Sequence, residues 1–471
     1  MKTQCSEGKL IFHDLDSREV VARFDGGEIT SDAGAVLLRE VEKRTGVLGR
    51  MSGCFEDHRD PERIEHTVES LVKQRVMGLC LGYEDLNDHD ELCRDRMLAL
   101  VCESDDVLGE RRHRESDRGK PLAGKSTLNR LELSPEQDKH KRYRKIEADT
   151  AGLDALLVDV FLEAHEGEAP IEVVLDVDAT DDPLHGEQEG RFFHGYYKNY
   201  CYLPLYIFCG EHLLCARLRS ADRDAADGVV EELEGIVMRI RARWPGVRIV
   251  VRGDSGFCRD ELMKWCEQAG VEYVLGLAKN VRLTKMMGEE MAEAKRRHEA
   301  SGEAQRLFKE LRYRTRKSWS CERRVVAKVE HLSAGANPRF IVTSIPIEQW
   351  AGRELYEQGY CARGEMENRI KEQQLNLFAD RTSSHQMRAN QMRLYFASFA
   401  YVLMHALRRL GLAGTELARA QCGTIREKVL KLGAQIRVSV RKIWLSMSQS
   451  YPRAGLLRRI LARLEAIPLR C

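Results

Sequence analysis

The sequence lacks the patterns that mark secreted, membrane-spanning and zinc-ribbon proteins. No apolar run in its 471 residues approaches the roughly 18 residues of a membrane span. Its start, MKTQCSEGKLIFHDLD, carries charges where a signal peptide needs an apolar stretch. The 14 cysteines form no C-x-x-C pair, so we expect most of them to be reduced, buried, small apolar residues. We therefore expect a folded cytoplasmic protein with no membrane partner.

Net charge is also nearly absent, but the two ends of the chain differ strongly. The formal charge is +1, yet residues 381–471 hold 17 Lys and Arg against three acids, a charge of +14. The first 380 residues therefore carry about −13. A basic module of this kind usually binds a phosphate backbone, although it would also dock on an acidic partner or on the acidic body of the same chain.

Length and hydrophobic spacing predict several domains and a mixed sheet. Single cores stop growing at roughly 250–300 residues, so two or three domains are expected. SDAGAVLLREVEKRTGVL and IEHTVESLVKQRVMGLCLG have helical spacing, whereas residues 103–124 are typical of a loop. After residue 150, IEVVLDVDAT, YCYLPLYIFCG and HLLCARLRS predict three antiparallel strands, followed by alternating helices and strands. This pattern favours a mixed α/β sheet with helices on its faces.

Two aspartate positions follow buried-type strands. In IEVVLDVDAT, Asp176 and Asp178 lie two residues apart, and therefore on one face of the strand. In IVVRGDSGF, Asp254 directly follows a second such strand. Each position also fits a polar turn. Because open α/β sheets place ligand sites beyond the carboxyl ends of their strands, the two positions together indicate a site, and carboxylate oxygens suit Mg²⁺.

A third acid lies in the helical segment YCARGEMENRIKEQQLNLF. Tyr360, Arg363, Glu367, Lys371 and Gln374 recur at spacings of three and four, so they share one helix face. One interpretation is a solvated face with ion pairs worth about 0.3–0.5 kcal/mol each. In the other interpretation, Glu367 binds a metal ion and the flanking cations, Arg363 and Lys371, contact DNA phosphates. Two acids at strand ends and one on a helix are what a two-metal phosphodiester site requires.

The sequence resembles the DDE transposases of bacterial insertion sequences, and among them the insertion-sequence 1380 family, from about Phe24 to Leu464. The segments that carry this resemblance are FDGGEITSDAGAVLLREVEKRTGVL, LDVDATDDPLHGEQEGRFFHGYY, RGDSGF and ENRIKEQQLNLFADRTS. Tyr360, Arg363 and Glu367 match part of the Tyr-Arg-Glu-Lys signature of related transposases. Gln374 stands where that signature has Lys, so Lys371 is expected to substitute as the phosphate contact.

The resemblance implies a ribonuclease-H-like core with a metal-binding catalytic triad of Asp178, Asp254 and Glu367. Such transposases place Gly or Ala and then Thr or Ser after the first acid, which favours Asp178 over Asp176 and leaves Asp176 as a supporting neighbour. The implied cofactors are two Mg²⁺ or Mn²⁺ ions. The residues expected to contact DNA are Tyr360, Arg363, Lys371 and Trp319, the last by stacking on a flipped base if it is not simply packed.

The implied activity is cut-and-paste transposition, with strand cleavage at the element ends and strand transfer into target DNA. The partners would be the terminal inverted repeats, the target DNA and a second copy of the chain in a paired-end complex, in the nucleoid. We expect five segments: 1–150, a mainly helical DNA-binding region; 151–279, the first part of the core; 280–350, a β-rich insertion; 351–400, the core with the catalytic helix; and 401–471, a basic helical region.

Several alternatives stay open. The sequence also fits a metal-dependent nuclease of the same fold, or an inactive DNA-binding regulator. The resemblance predicts that the N-terminal helices bind the ends of the DNA element, whereas charge predicts that the basic tail binds them. Cys258 lacks the His spacing of a nucleophile pair. Packing or contact with the edge of the substrate is favoured for the nearby His and Tyr side chains, namely His185, His194, Tyr196, Tyr197 and Tyr200.

Overall fold

The computed structural model describes residues 8–133, 145–167, 169–332 and 335–470. Parts of the expected N-terminal region, residues 1–7 and 134–144, lie outside the described residues. The chain forms two compact units, one of residues 1–48, 59–129 and 406–471 and a larger one of residues 49–58 and 130–405. No helix in the described ranges is both long and apolar enough to cross a membrane.

The strands and helices take the following bounds. The strands are β1 (Lys9–Leu15), β2 (Arg18–Arg23), β3 (Ile29–Thr30), β4 (Phe55–Asp57), β5 (Ile146–Ala148), β6 (Glu172–Ala179), β7 (Asp182–Pro183), β8 (Phe192–His194), β9 (Asn199–Tyr202), β10 (Leu205–Cys209), β11 (His212–Arg217), β12 (Arg248–Gly253), β13 (Glu272–Leu277), β14 (Gln305–Tyr313), β15 (Arg323–Leu332), β16 (Gly335–Thr343), β17 (Ala434–Val438) and β18 (Ile443–Met447). The α-helices are α1 (Val36–Thr45), α2 (Val47–Ser52), α3 (Val68–Leu81), α4 (His89–Leu92), α5 (Arg96–Val101), α6 (Lys125–Glu132), α7 (Thr150–Glu163), α8 (Val229–Arg243), α9 (Asp260–Ala269), α10 (Val281–Met286), α11 (Gly288–Ser301), α12 (Gly352–Glu354), α13 (Gly364–Leu377), α14 (Met387–Leu407), α15 (Cys422–Ile425) and α16 (Ala454–Glu465).

The larger unit is built on an eight-stranded mixed sheet, which confirms the predicted α/β class. Its strand order is β11-β10-β6-β12-β13-β16-β15-β14. β6, β12 and β13 run parallel, whereas β10 and β11 form an antiparallel hairpin that pairs with β6. The parallel strands are joined through α8 and α9, as the alternating pattern predicted.

The strands expected to form a separate insertion belong to this same sheet. β16 pairs antiparallel with β13, and β15 and β14 follow it in antiparallel register. The segment 280–350 therefore extends the core sheet. Sequence patterning finds such strands but does not reveal their pairing, because pairing depends on partners far along the chain.

Alternate residues of the central strands face two different layers. Leu175 and Val177 pack in a core that includes apolar residues of α7, α8 and α9. Val250 packs on the other face with Leu355, and Val174 adjoins this second cluster. Since side chains alternate along a strand, Asp176 and Asp178 belong to the face of Val174.

The smaller unit contains more β-structure than the helical expectation allowed. β1 and β2 form an exposed antiparallel hairpin within the region expected to be mainly helical. In the C-terminal region expected to be helical, β17 pairs with β18 and with the short strand β3. The alternation in IRVSVRKIWLSM is typical of such strands. The buried Asp32 accepts a hydrogen bond from Tyr83 and forms a 2.7 Å ion pair with Lys431.

Leu175→Ala should destabilise the larger unit, because this β6 side chain is fully buried (0% exposed). Emptying such a site typically costs about 2–5 kcal/mol. The matched control is Ile171→Ala, just before β6, where the side chain is 92% exposed and the expected change is within about 0.5 kcal/mol. Urea unfolding followed by circular dichroism measures both, and equal losses would contradict this account of the core.

Candidate active site

Two of the predicted acids meet at the carboxyl edge of the parallel strands. Asp178 lies at the end of β6, and Asp254 directly follows β12. Gly253 is in register with Val177, so Asp254 emerges beside Asp178. The Asp254 carboxylate also accepts a 2.8 Å hydrogen bond from the Gly256 backbone N–H and caps the short 3₁₀ turn that follows.

A cavity of about 670 Å³ opens over this edge of the sheet. Asp178, Asp254 and Glu367 all line it, together with Arg363 and Lys371. Glu367 and Lys371 lie on α13, and Arg363 immediately precedes that helix. The structure therefore brings together residues that are up to 193 positions apart in the chain, from Asp178 to Lys371.

Arg363 bridges two of the three acids. Its Nη1 donates to Asp178 Oδ2 at 3.2 Å, and its Nη2 donates to Glu367 Oε1 at 3.1 Å. The Arg363 side chain is largely buried, whereas the Glu367 side chain is 49% exposed. The guanidinium thus occupies the space between the two carboxylates and offsets part of their negative charge.

The site destabilises the charged form of Asp178. Burial raises the pKa of Asp178 to about 6; Arg363 opposes this shift, and the Asp254 and Glu367 carboxylates add to it. A carboxyl group next to like charges in a partly buried cavity is a frequent feature of functional sites. The structure thus holds three mutually repelling acids together with one bridging cation.

Asp176 has a different environment from Asp178. It is buried and accepts hydrogen bonds from Arg252 Nε at 2.5 Å and Nη2 at 2.7 Å. Arg252 also donates through Nη1 to the Gly359 carbonyl. Sequence reasoning missed Arg252, although an arginine inside the apolar strand IVVRGDSGF signals a buried partner.

The predicted helix face around Glu367 is interrupted. Residues Leu355–Tyr360 form a π-helix and Cys361–Arg363 a 3₁₀ turn, so regular α-helical spacing begins only at Gly364. The expected stripe therefore does not extend to Tyr360, whereas Arg363, Glu367, Lys371 and Gln374 line the same cavity. π-Helical turns interrupt helices frequently at functional sites, where they shift the direction of side chains.

Tyr360 packs below the cavity and is not part of its lining. It adjoins the apolar cluster around Leu355, and its ring lies 5.7 Å from that of Tyr356. A Cβ atom added to Gly276 of β13 would come within 2.6 Å of the Tyr360 hydroxyl and 2.8 Å of the Ser255 backbone nitrogen. This close approach lets β13 support both the Asp254 turn and the segment before Glu367.

Gln374 and Lys371 differ in their contacts. Gln374 Nε2 donates to the Asp181 carbonyl at 3.2 Å and so ties α13 to the loop after Asp178. Lys371 is exposed and makes no ion pair with any residue that the structure describes. Its ammonium group is available to an anion at the cavity.

Trp319 lies away from these residues. It is 4% exposed, packs edge-on against Tyr313 and lies beneath the Arg323 guanidinium. Trp319 is therefore packed in the core, and stacking on a flipped base would require its indole ring to leave that core. Burial raises the pKa of the Cys258 thiol to about 12, which disfavours the reactive thiolate at neutral pH.

The aromatic segment after Asp178 forms part of the cavity wall. His194, Tyr196 and Tyr197 line it, and the Tyr197 hydroxyl donates to the Ala179 carbonyl at 3.2 Å. Tyr196 is exposed. Packing in the cavity wall or contact with the edge of a substrate stays the prediction for these rings.

The donor set of the cavity fits a divalent cation. Four acids, Asp178, Asp181, Asp254 and Glu367, line one space, and a hard cation would relieve the repulsion that adds to the effect of burial on the pKa of Asp178. A separate group, Glu56, His58 and Glu147, has ligand atoms within 4.8 Å of one another. Glu56 and Glu147 lie opposite each other on β4 and β5, His58 directly follows β4, and its imidazole already contacts both carboxylates at 3.5 and 3.6 Å.

Asp176→Asn and Asp178→Asn should have different effects on stability, although the two residues lie on the same strand. The first leaves Arg252 buried without its counter-charge and should cost about 3–5 kcal/mol. The second removes a charge that faces two other acids, so stability should be unchanged or higher. Urea unfolding without divalent ions compares the two variants, and equal destabilisation would contradict the assigned environments.

Comparison with known proteins identifies the family. The family model described as "Transposase DDE domain group 1" matches residues 12–469. No curated protein matches the chain. Since this family model spans nearly the whole sequence, the chain belongs to the DDE transposase family.

Proposed function

We propose that the chain is a cut-and-paste DNA transposase of the insertion-sequence 1380 type, with Asp178, Asp254 and Glu367 as its catalytic triad. The observation that carries this proposal is the convergence of these three acids on one cavity in a DDE transposase chain. Asp178 is the first acid because it lines the cavity, whereas Asp176 is bound to Arg252.

A ribonuclease-H-like arrangement of the core is part of the proposal. Three antiparallel strands, β6, β10 and β11, are followed by the parallel strands β12 and β13, and β6 lies in the middle of the five. This order places the carboxyl ends of β6 and β12 next to each other. The acids of a ribonuclease-H-like site would occupy these two strand ends and a later helix, and the positions of Asp178, Asp254 and Glu367 support this proposal.

The three carboxylates would hold two Mg²⁺ or Mn²⁺ ions. When bound, such ions lower the pKa of an attacking water or 3′-hydroxyl and stabilise the departing oxygen of an in-line displacement. The protein itself orients the DNA: Lys371 and Arg363 neutralise phosphates, and the exposed Tyr196 contacts the edge of the substrate. Two copies of the chain would act together on the paired terminal repeats.

Replacing any one acid of the triad with alanine should abolish strand cleavage but leave DNA binding within about twofold of wild type. Each acid binds metal and none pairs with DNA, so only the chemistry is lost. Strand cleavage is measured by a gel assay in Mg²⁺ and DNA binding by a mobility shift in Ca²⁺, both on labelled duplexes that carry the inverted repeats expected in the DNA flanking the gene. The variants are Asp178→Ala, Asp254→Ala and Glu367→Ala.

The matched control is Asp181→Ala, a cavity acid that is not part of the triad. It should retain cleavage. If all three triad variants cleave like wild type, the proposed site is wrong. Efficient cleavage by the wild type without any joined product would instead assign the chain to a nuclease that does not perform strand transfer.

Arg363→Gln should increase the affinity for Mn²⁺, because the guanidinium competes with a metal ion for Asp178 and Glu367. Isothermal titration calorimetry measures this affinity without DNA. Lys371→Gln is the matched control, since it removes the same charge from the same cavity without touching either carboxylate. We expect at least about a threefold lower Kd for Arg363→Gln than for Lys371→Gln, and equal values would contradict the competition.

A further inference from the structure

The hairpin of β17 and β18 has two faces of opposite character. Ala434 and Ile436 are buried on one face. On the other face, Arg437 lies directly across from Trp444, and Gln435 lies across from Ser446. Because side chains alternate along each strand, this second face presents only polar, cationic and aromatic groups. We call it the basic face; it consists of Gln435, Arg437, Lys442, Trp444 and Ser446.

The cations of this hairpin are not balanced by acids. Arg437, Arg441 and Lys442 are exposed and form no ion pair with any acid in the described part of the chain. This contrasts with α11, where Lys295, Arg296 and Arg297 are offset by glutamates of the same helix. A cluster of three unpaired cations creates a positive potential suited to a polyanion.

Trp444 adds a second observation to the charge. Its side chain is 52% exposed, and Lys442 Nζ lies 5.3 Å from the centre of its ring. An exposed tryptophan between two cations offers a flat apolar surface for a sugar or base edge next to contacts for phosphates. Val440, at the tip of the hairpin, is also fully exposed.

We propose that the basic face and Arg441 bind the backbone of double-stranded DNA, at a site that is additional to the catalytic cavity. A two-stranded ribbon is narrow enough to enter a major groove. Three cations and one aromatic ring on such a ribbon match phosphates and an exposed base or sugar edge. This inference rests on the proposed function, since it supplies a DNA-binding surface to the transposase.

The test uses the full-length protein and a fluorescein-labelled 30-bp duplex of random sequence, with affinity measured by anisotropy between about 50 and 200 mM salt. The triple variant Arg437→Gln, Arg441→Gln and Lys442→Gln should bind at least about tenfold more weakly. Because each lost phosphate contact makes the negative slope of log K against log salt shallower by about 0.9, the loss of three contacts should make it shallower by about 2–3. The variant must also keep the wild-type melting temperature.

The matched control neutralises Lys295, Arg296 and Arg297, which changes the net charge equally on a surface where acids already offset these cations. Its affinity should stay within about threefold of wild type. Trp444→Ala should weaken binding without changing the salt slope. If the hairpin triple variant binds and responds to salt like wild type or like the control, the inference is wrong.

The design separates this inference from the proposed function. Normal binding by the hairpin variant, together with normal cleavage by wild type, would overturn only the hairpin site. If all three triad variants still cleave DNA, the catalytic proposal is overturned, whereas the result on DNA binding by the hairpin is unaffected. If the wild type does not bind the duplex at all, the hairpin site is wrong and its cations serve another acidic partner.

Discussion

The buried ion pair of Asp176 and Arg252 is the constraint on which the rest of the candidate active site depends. It joins β6 to β12, and through the Gly359 carbonyl it also joins both strands to the segment before Glu367. Burying two charges is costly unless the geometry is good and the remaining donors are bonded. Here one arginine satisfies both carboxylate oxygens and one carbonyl, so three distant parts of the chain are fixed in one arrangement.

That arrangement has an electrostatic consequence in the cavity. Asp178, Asp254 and Glu367 are held close enough for their charges to act on one another, and Arg363 partly compensates them. In the proposed function, the same guanidinium would leave the carboxylates when metal ions bind and would then be free for a phosphate. Metal binding and DNA contact would thus be coupled through Arg363, because its guanidinium cannot bind the carboxylates and a phosphate at once.

Much of the core could be predicted because the information is local. The alternation around Asp178, the buried strand before Asp254 and the spacing around Glu367 each indicate their own element. The pairing of β16 with β13, the π-helical turn before Cys361 and the choice of Arg252 by Asp176 could not be predicted. These features depend on contacts between segments far apart in sequence. The β1–β2 hairpin is exposed, so its residues lack the alternation of buried and exposed side chains from which a strand is predicted.

The most direct test of the central claim is anomalous diffraction from crystals of the protein grown with Mn²⁺. The account predicts a peak within about 2.0–2.3 Å of carboxylate oxygens of Asp178, Asp254 and Glu367, with the Arg363 guanidinium moved away from Asp178. A peak held only by Glu56, His58 and Glu147, with Arg363 still bridging Asp178 and Glu367, would contradict it.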